Sequence, residues 1–65
     1  MESYIIQNRD GLRVFLVAGR DEAEDFTVET ATRYGTRATL AERNGNPLLI
    51  AEADGVGARA RVTRP

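Results

Sequence analysis

The side chains best able to do chemistry in this chain are carboxylates and guanidiniums, and the sequence segregates them. Residues 21–29 hold five acids (Asp21, Glu22, Glu24, Asp25 and Glu29) and no base, whereas residues 55–65 hold Arg59, Arg61 and Arg64 and no acid. Paired carboxylates can do acid–base work when a cleft holds substrate against them. A run of acids along a water-facing helix has no such cleft. The other catalytic parts are missing. There is no histidine and no cysteine, and the one serine, Ser3, has no base to activate it. All nine basic residues are arginine, which removes both Schiff-base chemistry and the lysine of a phosphate loop. Gly55-Val56-Gly57 lacks the further glycine and lysine such a loop needs. Glu52 and Asp54 are two carboxylates without the further ligands a hard cation takes. The expectation is a chain with no catalytic residue, no metal and no cofactor, hence not an enzyme.

Positioning these charges requires elements, and the pattern of apolar residues supplies them. Tyr4–Gln7 reads as a strand, Asn8-Arg9-Asp10-Gly11 as a tight turn, and Arg13–Ala18 as the returning strand. The nearly continuous apolar run Val14–Ala18 predicts a central strand with both faces at least partly covered. Tyr4, Ile6, Val14, Leu16 and Ala18 share one parity, Ile5, Phe15 and Val17 the other, and only one set can face a helix. The second set is then exposed or meets a partner, a second copy included. Ala23, Phe26, Thr27, Thr30, Ala31 and Tyr34 recur with helical period, which predicts a helix with Asp21 as N-cap, Glu24 closing a capping box, and Gly35 ending it. Thr36–Glu42 and Pro47–Ala53 follow as strands joined through Asn44-Gly45, the strongest short hairpin signal. Residues 58–62 alternate alanine or valine with arginine, which suits a last edge strand with its arginines outward. The fold class is therefore α+β: an antiparallel sheet of four to five strands in the order β-β-α-β-β, one helix packed on one face.

Sixty-five residues make a single domain, with a folding margin of only about 3–5 kcal/mol from its core. Met1-Glu2-Ser3 does not open a signal peptide, and no stretch is long enough to span a membrane. The expected location is the cytoplasm, and the expected state a monomer or weak homodimer. Net charge is −1, so no global field recruits nucleic acid.

On the predicted helix the acids lie opposite the apolar stripe. One reading is a solvated face whose first acids complement the helix dipole. The sharper one is a patch that imitates nucleic-acid phosphates and docks on a basic protein groove through Glu22, Asp25 and Glu29. Val28 lies among these acids as an apolar anchor, and Thr32 extends the patch. The arginines Arg59, Arg61 and Arg64, with Arg37 on a neighbouring strand, offer a second surface, either protecting an edge or gripping phosphate. Base stacking usually brings exposed aromatics to such a stripe, and at least two of Tyr4, Phe15, Phe26 and Tyr34 are expected in the core. Direct nucleic-acid binding is therefore not favoured.

Several short features recur together: Tyr4-Ile5-Ile6, a strand ending Ala18-Gly19, a helix opened by Asp21-Glu22-Ala23 and closed by Tyr34-Gly35-Thr36, a hairpin through Asn44-Gly45, and an Asp54-Gly55 turn. From Tyr4 to Gly55 the arrangement resembles very small phage and mobile-element proteins, including anti-CRISPR proteins directed at type I effector complexes. The resemblance implies an inhibitor in the bacterial host cell. It would bind a Cas subunit of the crRNA-guided complex and block target DNA binding. Related small inhibitors often carry basic or aromatic residues at the tail; here the tail, Arg59 to Pro65, has no aromatic, so no contact residue transfers from the family. The alternative is a small nucleic-acid-binding or regulatory module that uses the C-terminal arginines, and a third is a structural or assembly protein of a phage.

Overall fold

A computed structural model describes all residues from Met1 to Pro65. Five strands and one helix follow in the order β1 (Glu2–Asn8), β2 (Arg13–Ala18), α1 (Arg20–Tyr34), β3 (Arg37–Glu42), β4 (Pro47–Glu52) and β5 (Arg61–Thr63). All neighbours pair antiparallel in one sheet of spatial order β2-β1-β3-β4-β5. The chain leaves the first hairpin, crosses one face as α1, and returns as β3 on the far side of β1. That return makes β1 interior and leaves β2 at an edge, where the continuous apolar run had predicted a central strand. The run splits by parity. Val14, Leu16 and Ala18 pair in register with Ile6, Tyr4 and Glu2 on the helix side, while Phe15 and Val17 stand on the open side, each two-thirds exposed.

Both tight turns form where the sequence places them. Asn8 Oδ1 accepts the N–H groups of Asp10 and Leu12, and Gly11 takes φ 92°. Asn44 Oδ1 accepts from Asn46 N–H, and Gly45 takes φ 95°. These are Asx-type bonds that let a short polar side chain stand in for backbone. Between Leu40 and Ala41 the β3–β4 register slips: Leu40 faces Leu49 but Ala41 faces Pro47, leaving Leu48 as the extra residue of a bulge beside the turn.

The core lies between α1 and the sheet. Tyr4, Ile6, Leu40 and Leu49 supply its bulk, and Ala23, Ala31, Ala38, Ala51 and Ala53 its contact points. Small residues on both layers let helix and sheet approach closely. Two buried threonines interrupt the apolar stripe without cost in unpaired hydroxyls: Thr27 donates to the Ala23 carbonyl at 2.8 Å and Thr30 to the Phe26 carbonyl at 2.8 Å. No helix is long and apolar enough to cross a membrane.

The helix begins differently from the expectation. Gly19 is the N-cap in extended conformation with no side-chain cap bond, and Asp21 already lies inside the first turn. Ala18 ends β2 immediately before, so the chain must turn at Gly19. Glu24 is engaged elsewhere, by arginines, and no capping box forms. The last strand is also shorter than the span 58–62: only Arg61–Thr63 pair with β4, and Arg59 precedes the strand.

Candidate functional site

Residues of α1 advance about 100° each around its axis. Asp21, Glu22, Asp25 and Glu29 therefore fall within an arc of about 100°, centred opposite the buried residues Ala23, Thr27, Thr30 and Ala31. All four acids are exposed. Glu29 has Arg33 one turn on at 4.0 Å, a loose and solvated pair. No salt bridge engages Asp21, Glu22 or Asp25. Asp21, Asp25 and Glu29 succeed one another at intervals of four residues, about 6 Å along the axis, so the outer face of the helix is a row of carboxylates.

The fifth acid of the cluster belongs to the body of the protein. Glu24 is mostly buried and accepts from Arg20 Nε at 2.9 Å and from Arg64 Nη2 at 2.9 Å. Burial pushes its carboxyl up, but the Arg64 and Arg20 guanidiniums outweigh it and hold the group below the usual carboxylate range. Glu24 thus anchors the C-terminal tail to the N-terminal half of α1.

Val28 does not stand free among the acids. It is half-buried and packs against the core cluster, because its position on the helix lies at the margin of the buried face. The exposed apolar side chains next to the acids are instead Phe26 and Tyr34, which sequence periodicity assigned to the core. They are 40% and 48% exposed, and together with Leu12 they line a shallow recess rimmed by Glu29, Thr30 and Arg33. Periodicity misplaced them because alanine and threonine suffice to fill the narrow gap between helix and sheet. Phe26 lies at the flank of the stripe, and Tyr34 lies in line with it but is the last residue of the helix. Only Tyr4 of the four aromatics is buried, its hydroxyl donating to Glu2 at 3.0 Å.

The arginines of the tail are largely spent within the molecule. Arg61 makes a two-pronged pair with Asp54, at 2.8 and 3.1 Å, which holds the Asp54 carboxyl below its ordinary range. Arg64 is held by Glu24, leaving Arg59 exposed without an acid partner. Arg37 is not beside β5, because β4 intervenes; it faces Glu52 across β3–β4. Glu52 in turn pairs with Arg9 at 3.3 Å. Asp54 and Glu52 are therefore engaged by guanidiniums, and no group of three or more metal-ligating side chains forms. The geometry brings Glu22, Asp25 and Glu29 together as expected, and separates Arg59, Arg61 and Arg64 into one free and two engaged cations.

In comparisons with known proteins, the chain matches no family model, no curated protein and no solved structure.

Proposed function

We propose that this protein is a non-enzymatic binding protein that presents its acidic helix to a basic, nucleic-acid-binding groove of another protein and occludes it. The observation that carries the reading is the exposed row Asp21, Asp25 and Glu29, with Glu22 beside it, of which three acids take no arginine although the chain has nine. Like charges at i and i+4 weaken a helix by about 0.2–0.5 kcal/mol a pair. Fold stability alone therefore gives no reason for Asp25 to follow Asp21, whereas Glu29 has Arg33 one turn on. A rigid row of carboxylates does suit a channel that otherwise guides phosphates, through charge complementarity. The recess of Phe26, Tyr34 and Leu12 borders the row at Glu29 and takes the role of apolar anchor site in place of Val28.

The resemblance to small anti-CRISPR proteins supplies the partner: a Cas subunit of a type I crRNA-guided effector complex, held so that target DNA cannot bind. Such a complex guides DNA along basic channels. The experiment is a capture assay with purified effector complex, comparing the native chain with the triple variant Glu22→Arg, Asp25→Arg, Glu29→Arg. Capture by the native chain and loss of more than about tenfold in the variant supports the reading, since each lost contact of a close charge pair costs about 1 kcal/mol or more, on the order of interface cycles. Undiminished capture removes the acidic row from the interface, and no capture by the native chain removes the partner.

A further inference from the structure

The two edges of the sheet are built differently. β5 is three residues long, carries Arg61, and is followed by Arg64-Pro65, all features that discourage further strand pairing. β2 is six residues long and has no proline, no bulge and no inward charge, and its open-face side chains are Arg13, at the end of the strand, with Phe15 and Val17, the last two each 66% exposed. Such an edge is a template for another strand.

The backbone of β2 can be read group by group. Asn8 N–H donates to the Leu12 carbonyl at 3.1 Å, and Arg9 N–H donates to the Arg37 carbonyl at 3.0 Å. Bonding alternates along antiparallel strands. Even-numbered residues of β1 therefore bond to β2, and odd-numbered ones to β3. With Ile6 opposite Val14 and Tyr4 opposite Leu16, the residues of β2 whose N–H and C=O point away from the sheet are Arg13, Phe15 and Val17. These are the same residues whose side chains lie on the open face.

We infer that the partner of this edge is a second copy of the chain, paired antiparallel through β2 about a two-fold axis at Phe15. That register sets Phe15 opposite the partner's Phe15, and Arg13 opposite the partner's Val17. It uses all three outward N–H and all three outward C=O groups of each copy, six hydrogen bonds in all, with none left over. The axis is normal to the sheet, so the two five-stranded sheets continue as one of ten strands and both helices lie on the same side. The Phe15 rings meet across the axis, where opposed aromatic pairs stabilise antiparallel strands. Arg13, already 5.4 Å over its own Phe15 ring, flanks them. The interface is small, below about 1,200 Å², so the dimer is weak, with a Kd on the order of micromolar. This inference does not rest on the acidic-helix reading, and the charge-reversed helix variant dimerises as the native chain does.

Sedimentation equilibrium of the full chain from low micromolar to millimolar concentration tests it, with amide hydrogen exchange at both ends of that range. The expected result is a monomer–dimer equilibrium in which the Arg13, Phe15 and Val17 amides become protected as dimer forms. Phe15→Lys sets two like charges on the axis and raises Kd more than about tenfold, since tenfold needs only about 1.4 kcal/mol. Because Phe15 is mostly exposed, the variant keeps the native circular dichroism. A monomer throughout the range overturns the inference and leaves the edge to a strand of another protein or to solvent. A dimer that leaves those three amides unprotected, or that survives Phe15→Lys undiminished, overturns it equally.

Discussion

At Gly35 the backbone turns left-handed, φ 62° and ψ 40°, and Thr36 N–H donates to the Ala31 carbonyl to close the end of α1. The loop after β4 passes directly over this glycine. Gly57 N–H reaches the Thr32 carbonyl at 2.8 Å, so the same loop satisfies one of the last carbonyls of the helix. A Cβ at position 35 collides with the Val56 nitrogen and the Gly55 carbonyl carbon, both backbone atoms that cannot rotate aside. Gly35→Ala is therefore expected to cost more than about 2 kcal/mol, on the order of half the folding margin of a domain this size. Gly45 has a more positive φ, 95°, but a Cβ there would meet nothing within 4 Å. Gly45→Ala is expected to cost only about 1 kcal/mol, the conformational term alone. Urea denaturation of the two variants separates close approach from backbone strain.

At the scale of the element, α1 joins two faces with different demands. Its inner face is small and polar-tolerant, Ala23, Thr27, Thr30 and Ala31, which is why the threonine content does not prevent it from forming. Its outer face is a row of acids that repel one another. Asp25→Arg turns two repulsive i, i+4 pairs into attractive ones, with Asp21 before it and Glu29 after. The expected outcome is a gain of about 1 kcal/mol, or about 4–8 °C in melting temperature followed by circular dichroism. Loss of partner capture together with a higher melting temperature is the signature of a residue kept for binding. A fall in melting temperature means that Asp25 serves the fold instead.

For the whole molecule, two ion pairs fasten the C-terminal segment: Arg61 to Asp54 and Arg64 to Glu24. Both carboxyls are held below their usual range, Asp54 by hydrogen bonds from Arg61, and Glu24 by Arg64 and Arg20 against the opposing effect of burial. A depressed folded value means stability that is present above the unfolded carboxylate range, about pH 4, and lost as pH falls through the folded values. Tyr4 works in the other direction. Burial and its hydrogen bond to Glu2 raise its hydroxyl, so the stability it confers is present below about pH 10 and lost as pH rises through the folded value. With no histidine or cysteine in the chain, urea stability is expected to be flat from about pH 5.5 to 9 and to fall below about pH 4. Glu24→Gln is expected to flatten part of the acid limb. A steep change near neutral pH contradicts this assignment.

Local signals determined much of this protein before any tertiary contact was considered. Asp10-Gly11, Asn44-Gly45 and Gly35 set both hairpins and the helix end, because a positive φ is a property of the residue itself. The alternation of Tyr4, Ile6, Val14 and Leu16 with Ile5, Phe15 and Val17 split the first hairpin into its two faces, because strand parity is fixed by the backbone. The helical period placed Glu22, Asp25 and Glu29 on one outward arc. Strand order could not be read this way. An apolar run such as Val14–Ala18 looks the same in the middle of a sheet as at its edge, and only the return of β3 beside β1 made β2 an edge. Nor could the sequence decide which charges meet. Glu24 and Arg64 are 40 residues apart, and Arg9 and Glu52 are 43. Which acids remain free for a partner, and which side chains flank them, depends on how close α1 lies to the sheet. That distance is set by the alanines packed between the two layers, a property of the assembled core that no single segment contains.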